Sequence, residues 1–205
     1  MLNNKEFDLW ADGYDKSVGL SEEKETYPFA GYKKVLDKIY AEILSSSKKS
    51  VLDIGFGTGT LSAKLYEKGC EIYGQDFSER MIEISQPKMP NAKLYCGDFT
   101  KGLVEQLTKN KYDAIIATYA LHHLTDTQKV DFINGLLPLL NDNGCIYIGD
   151  VAFATRDELQ KCREFSGDDW DDDEIYFAFE ELQKVFPKMT FEQMSHCSGV
   201  LSLEK

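Results

Sequence analysis

No apolar run in the sequence approaches the roughly 20 residues that a membrane-spanning helix needs. The N-terminus, Met1-Leu2-Asn3-Asn4-Lys5-Glu6, lacks the basic start and apolar segment of a secretory signal, so a cytoplasmic protein is expected. There is no internal repeat, low-complexity linker or Pro/Gly-rich hinge. One domain over residues 1–205 is the simplest organisation. Cations are in the minority, 23 Lys and Arg against 35 Asp and Glu for a formal net charge of −12, and no Lys/Arg cluster exceeds a pair. Proteins that bind nucleic acid displace phosphate counterions with cations, so neither DNA nor structured RNA is an expected partner. The five cysteines are odd in number, scattered, and contain no Cys-x-x-Cys. That pattern suits neither a disulfide framework nor a zinc site and reads as buried thiols in a reducing compartment; no metal is expected.

What is present is ordinary globular material, 42% hydrophobic and 28% charged. Phe29, Tyr32, Leu36, Ile39 and Ile43 recur at helical spacing, with Thr26 as candidate cap and Pro28 in the first turn. From Ser50 the pattern changes to short apolar runs at Val51–Ile54, Cys70–Gln75, Ala92–Cys96, Tyr112–Thr118 and Cys145–Val151. Helix signals lie between them. Leu61, Leu65 and Tyr66 form a stripe closed by Gly69, Ser78 opens a short helix that ends before Pro87, and Thr125-x-x-Gln128 and Thr155-x-x-Glu158 are capping boxes. This alternation predicts right-handed crossovers and a mostly parallel, doubly wound α/β sheet with helices on both faces. After a helix carrying Ile175, Phe179, Leu182 and Phe186, the runs Met189–Met194 and Gly199–Leu203 are close enough to pair as an antiparallel hairpin.

The most informative segment is Val51-Leu52-Asp53-Ile54-Gly55-Phe56-Gly57-Thr58-Gly59-Thr60. Glycines at alternate positions after a strand let the backbone turn sharply and let a ligand approach where a Cβ would collide. They sit at the carboxyl edge of the sheet, where open α/β folds bind ligands. The dinucleotide fingerprint Gly-x-Gly-x-x-Gly is not met, because Thr60 stands at its third glycine. Acids follow at the ends of the first three strands, Asp53, Asp76 and Asp98, and three carboxylates around a crevice suit a cation better than a pyrophosphate.

Asp-x-Gly-x-Gly-x-Gly, an acid after the second strand and Gly97-Asp98-Phe99 after the third resemble class I S-adenosylmethionine-dependent methyltransferases. The segments Trp10-Ala11-Asp12-Gly13-Tyr14-Asp15 and Thr118-Tyr119-Ala120-Leu121-His122-His123-Leu124 resemble the small bacterial quinone-biosynthesis (UbiE-like) and YrrT-like group. The resemblance covers most of the chain. It implies a Rossmann-like sheet of seven strands, the last antiparallel, with residues 1–48 a helical lid or cap, 49–154 the cofactor core and 155–205 helices plus the hairpin. It implies S-adenosylmethionine as methyl donor and S-adenosylhomocysteine as product. Thr118-Tyr119-Ala120-Leu121 lacks the Asn/Asp-Pro-Pro-Tyr signature of enzymes that methylate bases or glutamine, and with the net charge this points to a small-molecule acceptor. Gly55 and Gly57 would make close backbone contact with the methionine moiety and Gly59 would belong to the same cofactor loop, with Asp53 as acidic anchor and the carbonyl near Tyr119 accepting from the ammonium. Asp76 would hold the ribose hydroxyls, Asp98 and the Phe99 backbone the adenine, with Phe77 and Phe99 stacking on it.

Methyl transfer requires a general base only if the acceptor arrives protonated. Candidates are Tyr14 in the lid, His122, His123 and Asp150. Adjacent histidines on a helix cannot both face one site; His123 is favoured over His122, and a core or hydrogen-bonding role for both is the other reading. Trp170, Tyr176 and Phe177 are candidate acceptor contacts. The acidic stretch Gly167–Glu174 fails the spacing of a calcium loop and reads as a solvated helix start. Two other functions share these motifs: a non-catalytic S-adenosylmethionine sensor and, disfavoured by the glycine spacing, a nicotinamide-dependent oxidoreductase.

Overall fold

The computed structural model describes residues 26–46 and 48–205. Strands β1 (Ser50–Ile54), β2 (Glu71–Asp76), β3 (Lys93–Cys96), β4 (Tyr112–Thr118) and β5 (Leu140–Phe153) run parallel. Short β6 (Phe177–Ala178) adds to the end of β5 in parallel, whereas β7 (Thr190–Gln193) and β8 (Ser198–Glu204) form an antiparallel hairpin docked antiparallel on β5. The order along the sheet is β3-β2-β1-β4-β5-β8-β7, with β6 off this path, so the described residues form a sheet of eight strands rather than the expected seven. The reversal of order at β1 and β4 opens the crevice between their carboxyl ends.

Alternation in the strands divides the core. Val51, Ile116 and Tyr147 face one side, against Val35, Leu36 and Ile39 of α1 (Tyr32–Ser45) and Leu61 and Leu65 of α2 (Thr60–Glu67). Leu52, Ile115 and Ile146 face the other, against Leu107 of α4 (Glu105–Thr108), Ile133 of α5 (Asp126–Leu136) and Leu182 of α7 (Phe179–Val185). Ser78 caps α3 (Glu79–Ser85) by accepting from the Met81 N–H at 3.2 Å. Both capping boxes form, on α5 and on α6 (Arg156–Ser166). No helix among the described residues is long and apolar enough to cross a membrane.

Four local expectations are corrected. α1 is not capped by Thr26; it starts after Gly31, whose φ of 75° places it in the left-handed region. There the Ala30 carbonyl accepts the hydroxyls of Ser195 (2.7 Å) and Ser198 (2.8 Å), docking the entry turn on the hairpin and overriding local capping chemistry. The C-terminal helix excludes Ile175, because the Ile175 N–H donates to the His122 carbonyl (2.8 Å) and Phe177–Ala178 pairs with β5. The acidic stretch follows the C-terminus of α6 as a 3-10 turn at Gly167–Asp169 and a loop, rather than starting a helix. Cys96 is exposed, at the end of edge strand β3, while Cys70, Cys145, Cys162 and Cys197 are buried.

Gly149 in β5 seats α1 on the sheet: a Cβ there would lie 2.3 Å from Val35 Cγ1 and 3.0 Å from Ile39 Cδ1. Overpacking of this kind costs typically 1–3 kcal/mol. Gly149→Ala should therefore lower the urea midpoint by about that free energy with the slope unchanged; an unaltered midpoint would mean that the helix does not bear on this strand.

Candidate active site

Gly55 (φ 66°), Gly57 (φ 55°) and Gly59 (φ 75°) all adopt the left-handed conformation that the alternate glycines permit. A Cβ on Gly55 would lie 2.6 Å from Ala120 Cβ, so this glycine lets the β1 and β4 loops touch. At Gly57 a Cβ would meet nothing within 4 Å and would project into open space. A Cβ on Gly59 would instead lie 3.1 Å from Ser85 Cβ and Met89 Cε, and Gly59 is not among the residues lining the cavity.

Asp76 closes the loop. Its Oδ2 accepts from the Gly57 N–H (2.8 Å) and its Oδ1 from the Ser78 N–H (2.9 Å), so one carboxylate ties the β1 turn to the β2 turn. Asp53 points elsewhere. It is 1% exposed and accepts from the Ser62 hydroxyl of α2 at 2.5 Å, while its Oδ1 has no hydrogen-bond partner among the described residues. It anchors the loop from beneath rather than facing the cavity. Burial, reinforced by the charge of Asp76, pushes its carboxyl up to about 7.

A cavity of about 510 Å³ lies over these loops, in the range of small-molecule sites. Gly55, Gly57, Asp76, Phe77, Asp98, Phe99 and Tyr119 all line it, so seven of the nine proposed cofactor residues converge and Asp53 and Gly59 do not. Asp98 Oδ1 accepts from the Thr100 N–H (3.0 Å) and hydroxyl (2.5 Å), and Oδ2 pairs with Lys101 at 2.9 Å. Burial raises its pKa, yet these bonds outweigh it and hold the carboxyl below its ordinary value. The Phe99 ring packs on Phe132 (centroids 6.0 Å apart), which leaves part of it for the cavity. Tyr119 has φ 50°, unusual for a residue with a Cβ, and its N–H donates to the Gly149 carbonyl (2.8 Å).

Both His122 and His123 line the cavity as well. The expectation that only one histidine faces the site assumed an α-helix; Leu121–His123 is a 3-10 turn, and the two rings touch edge to face at 4.3 Å. His122 Nδ1 lies 2.7 Å from Asp150 Oδ1 and its Nε2 3.3 Å from Glu174 Oε1. Burial depresses the His122 pKa, but the two carboxylates win and the net direction is up. Burial, aided by His122, drives His123 down to about 4, which keeps it neutral. Tyr14 and residues 1–25 of the expected lid lie outside the described residues.

Of the acceptor contacts expected, none lines the cavity. Trp170 stacks on Tyr27 (5.0 Å, 15°) and meets Tyr176 edge-on, and Phe177 is buried under the Lys129 ammonium (4.3 Å). The wall itself is Tyr27, Phe29, Asp169, Asp171 and Glu174. Tyr27 and Tyr176 share a hydroxyl–hydroxyl hydrogen bond, Tyr176 donates to Glu174 (2.6 Å), and the Asp171 N–H donates to Tyr27 (3.0 Å). Glu174 was visible in the sequence only as the last acid of a charged run.

The family model described as a methyltransferase domain matches residues 51–144. An uncharacterized methyltransferase of Geobacillus kaustophilus is 34% identical over 193 residues, covering 90% of this chain and 86% of the relative. One from Oceanobacillus iheyensis is 32% identical, covering 97% of this chain and 95% of its own. Among solved structures, magnesium protoporphyrin IX methyltransferase of Synechocystis with bound SAH has a TM-score of 0.67 at 19% identity, covering 86% of this chain and 84% of that one. An S-adenosylmethionine-dependent methyltransferase of Clostridium acetobutylicum has a TM-score of 0.68 at 14% identity, covering 93% and 98%. At these identities the structural matches establish the fold.

The buried Asp53 has a pH signature. Its folded pKa of about 7 lies above the ordinary 3.8, so the folded state holds the proton longer than the unfolded chain does. Stability is therefore lost as pH rises from about 4 to about 7 and levels off above. Asp53→Asn removes this loss, so its stability relative to the parent should be greater at pH 8 than at pH 5, by about 2–3 kcal/mol at 1.36 kcal/mol per pKa unit. Urea unfolding at the two pH values measures it; an equal difference at both would show that Asp53 ionises normally.

Proposed function

This chain belongs to the methyltransferase family, and from that premise we propose that it transfers a methyl group from S-adenosylmethionine to a small-molecule acceptor by in-line displacement. The observation that carries the reading is the lining of the crevice. Asp76, Asp98, Asp169, Asp171 and Glu174 all line it, and no Lys or Arg is among its described lining residues. A pyrophosphate would meet repulsion there, whereas a ligand with a sulfonium and an ammonium, net +1, is attracted.

When bound, S-adenosylmethionine supplies a methyl group on a sulfonium, a leaving group good enough for direct displacement. The chain's residues bind and align. Gly57 offers open space and a close backbone where the methionine moiety would lie, and the carbonyl of Tyr119 would accept from its ammonium. Asp76, held in orientation by two backbone N–H groups, would grip the ribose diol with both oxygens. Asp98, beside the Phe99 backbone, would accept from the adenine amino group in exchange for its pair with Lys101. That pair is on the surface, Lys101 being 83% exposed, and costs little to give up. Phe77 and the free part of Phe99 would cover the adenine. The acceptor would enter against Tyr27, Phe29, His123 and Glu174. Holding two reactants in line and excluding water is worth roughly 7–11 kcal/mol of barrier.

Charged hydrogen bonds contribute roughly 1.5–3 kcal/mol each. Asp76→Ala should thus weaken S-adenosylmethionine binding about 10- to 100-fold in calorimetry. S-adenosylmethionine and S-adenosylhomocysteine should raise the melting temperature and NAD should not. A shift with NAD alone, or unchanged affinity in Asp76→Ala, would overturn the assignment.

A further inference from the structure

Binding a methyl donor does not account for the arrangement of His122, His123 and Glu174 in the cavity wall. Asp150 Oδ1 accepts from the Val151 N–H (2.8 Å) and lies 2.7 Å from His122 Nδ1, so the ring proton belongs on Nδ1. On the neutral ring, Nε2 then turns a lone pair toward Glu174 Oε1 at 3.3 Å. Two acceptors at that distance need a cation with them. His123 adds a third donor: one nitrogen of each imidazole and one Glu174 oxygen all lie within 4.8 Å of one another.

We propose that His122, His123 and Glu174 bind a divalent first-row transition ion of the zinc class, with its remaining position open to the cavity. Two imidazoles and a carboxylate are a donor set such ions accept, and three protein ligands plus one open site is the pattern of catalytic zinc. Tetrahedral bonds of about 2.1 Å place ligand atoms about 3.4 Å apart, which the His122–Glu174 pair already matches; His123 has to swing inward. The supports behind the ligands are also those of a metal site. Asp150 fixes the His122 ring, and the Tyr176 hydroxyl donates to the other Glu174 oxygen at 2.6 Å. Backbone ties hold the two segments together: the Ile175 N–H donates to the His122 carbonyl, and the buried Lys129 ammonium donates to the Ile175 carbonyl. A proton shared by His122 and Glu174 is the competing occupant of that pair, and the convergence of a third ligand atom from His123 is what favours the ion.

Resting on the methyltransferase reading, the ion defines the acceptor class as a hydroxyl or a thiol. The ion lowers the pKa of such a group placed against its open side, and the released proton passes to water. The oxygen or sulfur lone pair then forms the bond to the methyl carbon as the carbon–sulfur bond breaks, its electron pair staying on the donor's sulfur.

The test uses untagged, chelator-treated full-length protein titrated with Co²⁺, followed by visible absorption, with S-adenosylhomocysteine calorimetry alongside. One Co²⁺ per chain should bind, in a low-coordinate spectrum displaced by Zn²⁺. Glu174→Gln and His123→Ala should each weaken Co²⁺ at least about 10-fold, and Asp150→Asn about 10- to 100-fold, with S-adenosylhomocysteine affinity unchanged. Glu174→Gln is nearly isosteric at a partly exposed position, so it keeps the test valid should the buried variants misfold. No stoichiometric Co²⁺, or equal affinity in Glu174→Gln, overturns the proposal. Co²⁺ binding without S-adenosylhomocysteine binding leaves the metal site standing and removes the methyltransferase reading alone.

Discussion

The carboxylate of Asp76 receives two backbone N–H groups, one from the glycine turn after β1 and one from the turn after β2. The rest of the site is arranged around that clasp. A turn built on left-handed glycines has more freedom to lose than any other, and without a fixed acceptor its amides would have no set direction. The clasp converts a flexible loop into a rigid lip, and it does so at the reversal in strand order where the sheet leaves a crevice open. The close contact of Gly55 with Ala120 then brings the segment after β4, and with it both histidines, to the same opening.

Electrostatics divide the acids by depth. Asp98 sits near the surface among donors and stays ionised, while Asp53 lies beneath the loop, held by one hydroxyl, and resists ionisation. Carboxylates of nearly the same strand-end position thus serve opposite purposes, one presenting charge to the cavity and the other linking β1 to α2. Burial and the number of hydrogen bonds decide which.

Most of the fold was legible because it rests on local chemistry. Strand periods, the Ser78 cap and the two capping boxes each need only a few neighbouring residues, and all appear where expected. The readings that failed depend on distant partners. Thr26 lost its role because Ala30 is claimed by Ser195 and Ser198 across the molecule, and Ile175 left its helix for His122. Along the cavity the glycine loop and the acid after each strand could be read from spacing alone. Glu174 could not, since a solvated acid and one that meets His122 look the same in a charged run. The aromatic residues beside it were read as acceptor contacts, but they form the backing of the wall rather than its face.

That backing couples two parts of the chain far apart in sequence. Tyr27 is stacked on Trp170, bonded to Tyr176 and capped by the Asp171 amide, so the turn before α1 and the acidic loop after α6 form one panel. Neither half can be reshaped without disturbing the other. Descendants of this protein that adopt a different acceptor would have to alter both halves in concert, and chimaeras exchanging only the acidic loop would inherit a panel with no hinge partner.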